Sequence, residues 1–337
     1  MILTQASPGS AAQVAEFSNT MTYATMLVLV VAMIAFAASF AARRTQSIDL
    51  RQREPALVGG AAVTAAPMPT GTADAGPDPD PDEPGRRAGN IALSLSWLAF
   101  TMLFVAVVAR GVWAGRVPWG NMYEFSLTSA LAILGVYLGV STRRDVRWLG
   151  IFVIPLVLLT LGLAITVLYT ETQQLVPALD SYWLVIHVSM AIVCGGAFLI
   201  AGTTAALYLI ANRAQRPAGG PLSKLVCAVG RRLPEPERLD RLSYRIVAFA
   251  FPVWTFAIVA GAIWAESAWG RYWGWDPKET WAFITWVIFA GYLHAQSTAG
   301  WKGRKASWLA IIGLVAYIFN YFGVNLLFTG LHSYGGV

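Results

Sequence analysis

Long, uninterrupted apolar runs constrain this chain more than any other feature. Eight stretches, roughly 22–42, 90–109, 123–141, 148–169, 182–210, 244–265, 280–297 and 307–328, are rich in Leu, Val, Ile, Ala and Phe and nearly free of charge. A run of about 18 such residues is long enough to cross a bilayer as a helix. Lipid gives backbone amides no partners, so only helices and closed barrels span it. The runs are continuous rather than alternating, which favours helices over barrel strands. The pattern predicts an all-α polytopic integral membrane bundle of about eight transmembrane helices. The composition agrees: 56% of residues are hydrophobic and only 12% charged, about half the charge of an ordinary soluble domain.

The net charge of +6 is a topology signal rather than a sign of nucleic-acid binding, for which no motif is present. Alternate connections hold Arg43, Arg44, Arg51, Arg53, Arg86 and Arg87, then Arg143, Arg144 and Arg147, then a basic run from Arg213 to Arg245, then Lys302, Arg304 and Lys305. The opposite connections hold only Arg110, Arg116, Arg271 and Lys278. Basic loops face the cytoplasm. The expected place is a bacterial plasma membrane, with both termini outside and membrane lipid around the bundle.

No Lys or Arg precedes Arg43, so residues 1–20 read as a short polar lead-in and the first apolar run as a retained helix. The expected organisation is a lead-in and first helix over 1–42, a disordered cytoplasmic linker over 43–89, and a membrane domain over 90–337. The linker is rich in Ala, Pro, Gly and Asp, with Pro77, Pro79 and Pro81 alternating with Asp78, Asp80 and Asp82, a composition unable to bury a core. Cys194 and Cys227 form no C-x-x-C pair. Topology separates them, which argues against a disulfide and against thiol–disulfide exchange by this chain.

Three histidines carry the ligand chemistry: His187, His294 and His332. His187 and His332 fall on the outer side, His187 about one turn inside its helix and His332 beyond the last helix. His294 lies 13 residues after Trp281, about 20 Å deeper along the seventh span. Imidazole suits iron, zinc and copper, and axial histidines commonly hold haem. An interfacial or solvated role is the ordinary fate of such residues, although ionisable groups at membrane depth tend to be functional.

The segment 264–281 is more informative. It carries Trp264, Trp269, Trp273, Trp275 and Trp281, five tryptophans in 18 residues, interleaved with Gly and charge. One or two would belong to an aromatic belt. This density suits a flat aromatic ligand held by stacking and area burial, with Arg271 and Lys278 available for carboxylates at its edge. A porphyrin with its propionates fits; a quinone lacks the anionic edge. Asp276, followed by Pro277 and by Glu279 three residues on, also reads as a helix N-cap.

The run Trp269-Gly-Arg271-Tyr-Trp273-Gly-Trp275-Asp276-Pro-Lys278-Glu279 resembles the WWD motif of haem-handling membrane proteins. More specifically, the chain is similar to the CcsA (ResC) family of system II cytochrome c biogenesis, labelled CcsB in some lineages. Leu175–Trp183 leading into His187, the loop Pro118–Glu124 and the tail Leu331–Tyr334 carry further likeness, over roughly residues 90–337. The resemblance implies that His187 and His332 ligate an external haem b, with Trp269, Trp273, Trp275, Asp276, Arg271 and Lys278 around it. It implies that His294 takes haem at the inner side beside a ResB-type (CcsB) membrane subunit. Apocytochrome c would then receive the haem through thioether bonds, with thiol-reducing biogenesis proteins as further partners. Haem lyase activity would belong to the complex. Two other readings remain open at this point: a transporter for an aromatic solute, and an electron-transfer subunit with permanent b-type haems.

Overall fold

A computed structural model describes residues 8–43, 85–170, 181–217 and 219–332. The expected linker at 44–84, the segment Val176, Pro177 and Asp180, and Tyr334 lie outside the described residues. Among the described residues ten α-helices follow one another: α1 Pro8–Ala42, α2 Arg86–Ala114, α3 Met122–Ser141, α4 Gly150–Thr166, α5 Tyr182–Ala214, α6 Pro221–Gly230, α7 Pro236–Trp269, α8 Pro277–Ser297, α9 Arg304–Ile318 and α10 Val324–Leu327. Among the described residues there is no strand. A 3-10 turn leads into α4, and a π-helical turn, Phe319–Gly323, joins α9 to α10.

Among the described residues seven segments are long and apolar enough to cross a membrane: 13–42, 86–114, 122–141, 147–166, 182–214, 236–269 and 304–327. The remaining predicted span forms α8, 21 residues with Pro277, Lys278 and Glu279 in its first turn. The bundle is therefore all-α and polytopic. Two parts depart from expectation. Residues 8–20, read as a lead-in, continue α1, because Ser18 is buried and donates to the Ala106 carbonyl of α2 at 2.8 Å. The basic loop also holds α6, whose Cys227 is buried while Leu222 and Leu225 stay exposed. Both cysteines are free thiols.

The chain packs as α1 along α2 and α5 along α7, with α3 and α9 also against α5 and α8 beside α9. Phe198 of α5 stacks on Phe289 of α8 at 3.9 Å and meets Trp254 and Tyr317 edge-on, filling the centre. Polar contacts gather the connections into two ends. At one, Arg147 donates to Asn90 at 2.9 Å and Arg238 to the Asp145 carbonyl at 3.4 Å. At the other, Tyr123 donates to Asn19, and Arg110 donates to the Thr170 carbonyl at 2.6 Å. The tryptophan-rich segment joins α7 and α8 at this second end.

Candidate functional site

His187 sits one turn into α5, against α7. Its Nδ1 is 2.7 Å from the Ala257 carbonyl oxygen. A carbonyl only accepts, so Nδ1 carries the proton and Nε2 keeps its lone pair. The ring reaches this position because residue 261 is Gly: a Cβ there would meet His187 Nδ1 at 2.6 Å and Cε1 at 2.7 Å. One turn further along the same face, the buried Trp264 ring lies nearly parallel to the imidazole, at 6.4 Å between centroids.

His332 reaches the site from the tail, through Asp276. This carboxylate is the N-cap of α8, in a capping box with Glu279, with Pro277 at the first helical position. It accepts from the Lys278 amide at 3.0 Å, the Leu331 amide at 2.8 Å and His332 Nδ1 at 2.9 Å. Burial alone would raise its pKa, but the His332 ring and the two amides outweigh that and hold it at about 2. The carboxylate is therefore ionised and accepts only, which fixes Nδ1–H toward Asp276 and leaves Nε2 of His332 for a ligand. The His332 ring meets Trp264 edge-on at 5.8 Å and Trp269 at 4.8 Å. Both imidazoles thus contact the same indole.

Both also line one cavity, with about 1250 Å³ of empty space counted out to its open mouth. Trp119, Trp264, Trp273 and Tyr321 supply aromatic wall, and Lys278 and Asn325 supply polar edge. Lys278 Nζ donates to Asn325 Oδ1 at 2.9 Å. Its positive charge stands where an anionic group on a flat ligand would meet it. The chamber offers a large apolar surface, two ring nitrogens not engaged by the Ala257 and Asp276 acceptors, and one cation, a donor set fitted to a metalloporphyrin with acidic side chains.

The other expected site residues divide. Trp269 supports His332 rather than lining the chamber. Arg271 is turned to Glu279, at 3.4 Å. Trp275 is 64% exposed, with a backbone φ of +58°, and packs edge-on against Trp273 and Phe283. His294 is exposed on the flank of α8, away from the cavity. Trp119, Trp264, Tyr321 and Asn325 line the cavity but were not singled out as site residues from sequence. Trp264 had a signal, since Ala257, Gly261 and Trp264 share one helical face. Asn325 had none, because its link to Lys278 depends on how α10 meets α8.

Known proteins share sequence and fold with this chain. Residues 119–332 match the family model described as cytochrome C assembly protein. The chain is 37% identical to the cytochrome c biogenesis protein CcsA of Trieres chinensis, covering 71% of this chain and 84% of that relative. It is 35% identical to the CcsA of Gloeobacter violaceus, covering 73% and 86%. Among solved structures it resembles the cytochrome c haem lyase CcmF with a TM-score of 0.59 at 15% identity, over 96% of this chain. That likeness concerns the fold, and the chain spans about half, 48%, of that longer structure.

Proposed function

This chain belongs to the cytochrome c assembly protein family and acts in cytochrome c biogenesis, and we propose that it does so by holding haem b between His187 and His332 and presenting it to apocytochrome c. The observation that carries this reading is the pair of imidazoles, each with Nδ1 tied to an acceptor and Nε2 left over, opening on one aromatic chamber. Axial coordination needs a lone pair on one ring nitrogen and a partner that orients the other. Lys278 would meet a propionate, and Trp273 would cover part of the macrocycle.

Haem is substrate here, not resident cofactor. The chain's contribution is placement: it holds the vinyl-bearing edge where a Cys-x-x-Cys-His segment can reach it, and proximity supplies much of the rate. Each cysteine S–H adds across a vinyl C=C, forming one C–S and one C–H bond with no net oxidation. The tryptophan-rich end would face outward, as the charge distribution directs. The exposed His294 on α8 would then sit where a ResB-type subunit could pair with it to receive haem from the inner side. The aromatic-solute transporter uses neither oriented imidazole, and the permanent electron carrier would use both but needs a second histidine opposite His294, which this chain does not supply.

Maturation of a c-type cytochrome in cells carrying His187→Ala or His332→Ala tests this. Loss of covalent haem with normal membrane insertion is expected; normal maturation in both variants would remove the ligand assignment.

A further inference from the structure

The loop before α3 is built like the tryptophan-rich loop before α8. In each, an Arg, a helix N-cap and a Glu fall at the same offsets: Arg116, Asn121 and Glu124 in one, Arg271, Asp276 and Glu279 in the other. Both Glu carboxylates are buried at the third helical position, 0% and 7% exposed. Each accepts from a glycine amide behind the cap, Gly120 at 2.9 Å and Gly274 at 2.8 Å. Each is bonded by its own arginine, at 2.7 Å from Arg116 and 3.4 Å from Arg271. In both loops the guanidinium lies over that glycine so closely that a Cβ would collide with it. A tryptophan precedes each glycine, Trp119 and Trp273, and both indoles line the same cavity.

The two loops are also joined. Asn325 accepts from Lys278 Nζ of α8 and donates to Met122 Sδ of α3 at 3.0 Å, so the two helix starts hold one position relative to each other. A difference between the indoles points to what the second loop does. Trp273 is in edge contact with Trp275 at 5.7 Å. Trp119 has no ring partner among the described residues, although its backbone is fixed by its amide donating to the Val117 carbonyl at 2.9 Å. A half-buried indole, held on a rigid loop and facing an apolar chamber with no ring against it, is a stacking surface that lacks its other half.

We infer that Trp119 is a second aromatic wall of the haem site, and that the chamber is a pair of matched jaws rather than a single tryptophan-rich face. The inference rests on the haem-binding reading above. Trp119 packs against the macrocycle from the α3 side while Trp273 packs from the α8 side. Arg116 and Glu124 act through Trp119, by holding the loop that carries it.

The test is titration of ferric haem into the purified full-length chain, comparing the wild type with Trp119→Ala, Trp119→Phe and His332→Ala. The readouts are the Soret difference spectrum and the fraction of haem retained after gel filtration. Trp119→Ala is expected to weaken binding about three- to tenfold, with an unchanged helical circular-dichroism spectrum, and Trp119→Phe to recover most of it. Wild-type affinity in Trp119→Ala, alongside loss in His332→Ala, overturns this inference and leaves the haem site standing. Equal or absent binding in the wild type and His332→Ala overturns both. Weakened binding in Trp119→Ala that Phe does not recover also counts against a stacking role.

Discussion

Asp276→Asn is the substitution whose outcome the geometry specifies most fully. The amide keeps the side chain's size and one oxygen, so α8 retains an N-cap acceptor and loses little there. What changes is the hold on the tail. Asp276 accepts from the Leu331 amide at 2.8 Å and His332 Nδ1 at 2.9 Å. A hydrogen bond to a charged group contributes about 1.5–3 kcal/mol against about 0.5–1.5 kcal/mol for a neutral one. The Asn oxygen still accepts from His332 Nδ1 as a neutral bond, while its NH2 replaces the oxygen that accepted from the Leu331 amide; one bond weakens and one is lost, roughly 2–4 kcal/mol together, about a 30- to 850-fold fall in the docked tail. Hydrogen–deuterium exchange of the peptide containing Leu331 reads this directly, and its amide should exchange faster by about that factor. The pH dependence follows from the depressed carboxylate, whose pKa of about 2 lies below the ordinary aspartate value of 3.8. A folded pKa lowered in this way contributes docking that is complete above about pH 4 and is lost as pH falls toward 2. Protection of Leu331, corrected for intrinsic exchange, should hold from neutral pH to about 4 and decline below it. Equal exchange in the variant and the wild type would refute the view that this carboxylate positions His332.

Further outcomes follow from the same contacts. Gly261→Ala puts a Cβ 2.6 Å from His187 Nδ1, so the ring must turn away from Ala257; haem binding by titration should fall although both histidines remain. Lys278→Met should lower affinity for haem by about tenfold or more while leaving affinity for its propionate dimethyl ester unchanged; parallel titrations check the contrast. Glu124→Gln removes the carboxylate facing Arg110, both 0% exposed, and breaking a buried pair typically costs about 3–5 kcal/mol. The temperature at which half the detergent-solubilised protein stays monodisperse should drop, and an unchanged temperature would count against the cluster's structural role.

Much of the fold was legible because lipid imposes one rule on every span. The apolar runs became helices, and Asp276, Pro277 and Glu279 formed the capping box their spacing announced. Where the rule weakens, so did the reading. Residues 8–20 carry enough Ser, Thr and Asn to read as a polar lead-in, yet Ser18 is satisfied inside a helix pair. The short helix α6 and the π-helical turn at Phe319 carry no periodic signal long enough to find. At the site, residue types were legible but directions were not. Arg271 and Lys278 both offered positive charge; only the folded loop turns Arg271 to Glu279 and Lys278 toward the cavity. Trp273 and Trp275 are two apart, and the left-handed backbone at Trp275 sends its indole outward. Contacts across the seven irregular residues 270–276, or between α7 and a tail 68 positions beyond Trp264, depend on tertiary geometry that local pattern does not encode.

The axial-ligand spectrum of haem on the purified chain bears most directly on the central claim. A low-spin, six-coordinate signature with two imidazole ligands is predicted by magnetic circular dichroism and resonance Raman spectroscopy, changing to a five-coordinate or weakly bound form in His187→Ala and in His332→Ala. An identical spectrum in the chain lacking both histidines would contradict it.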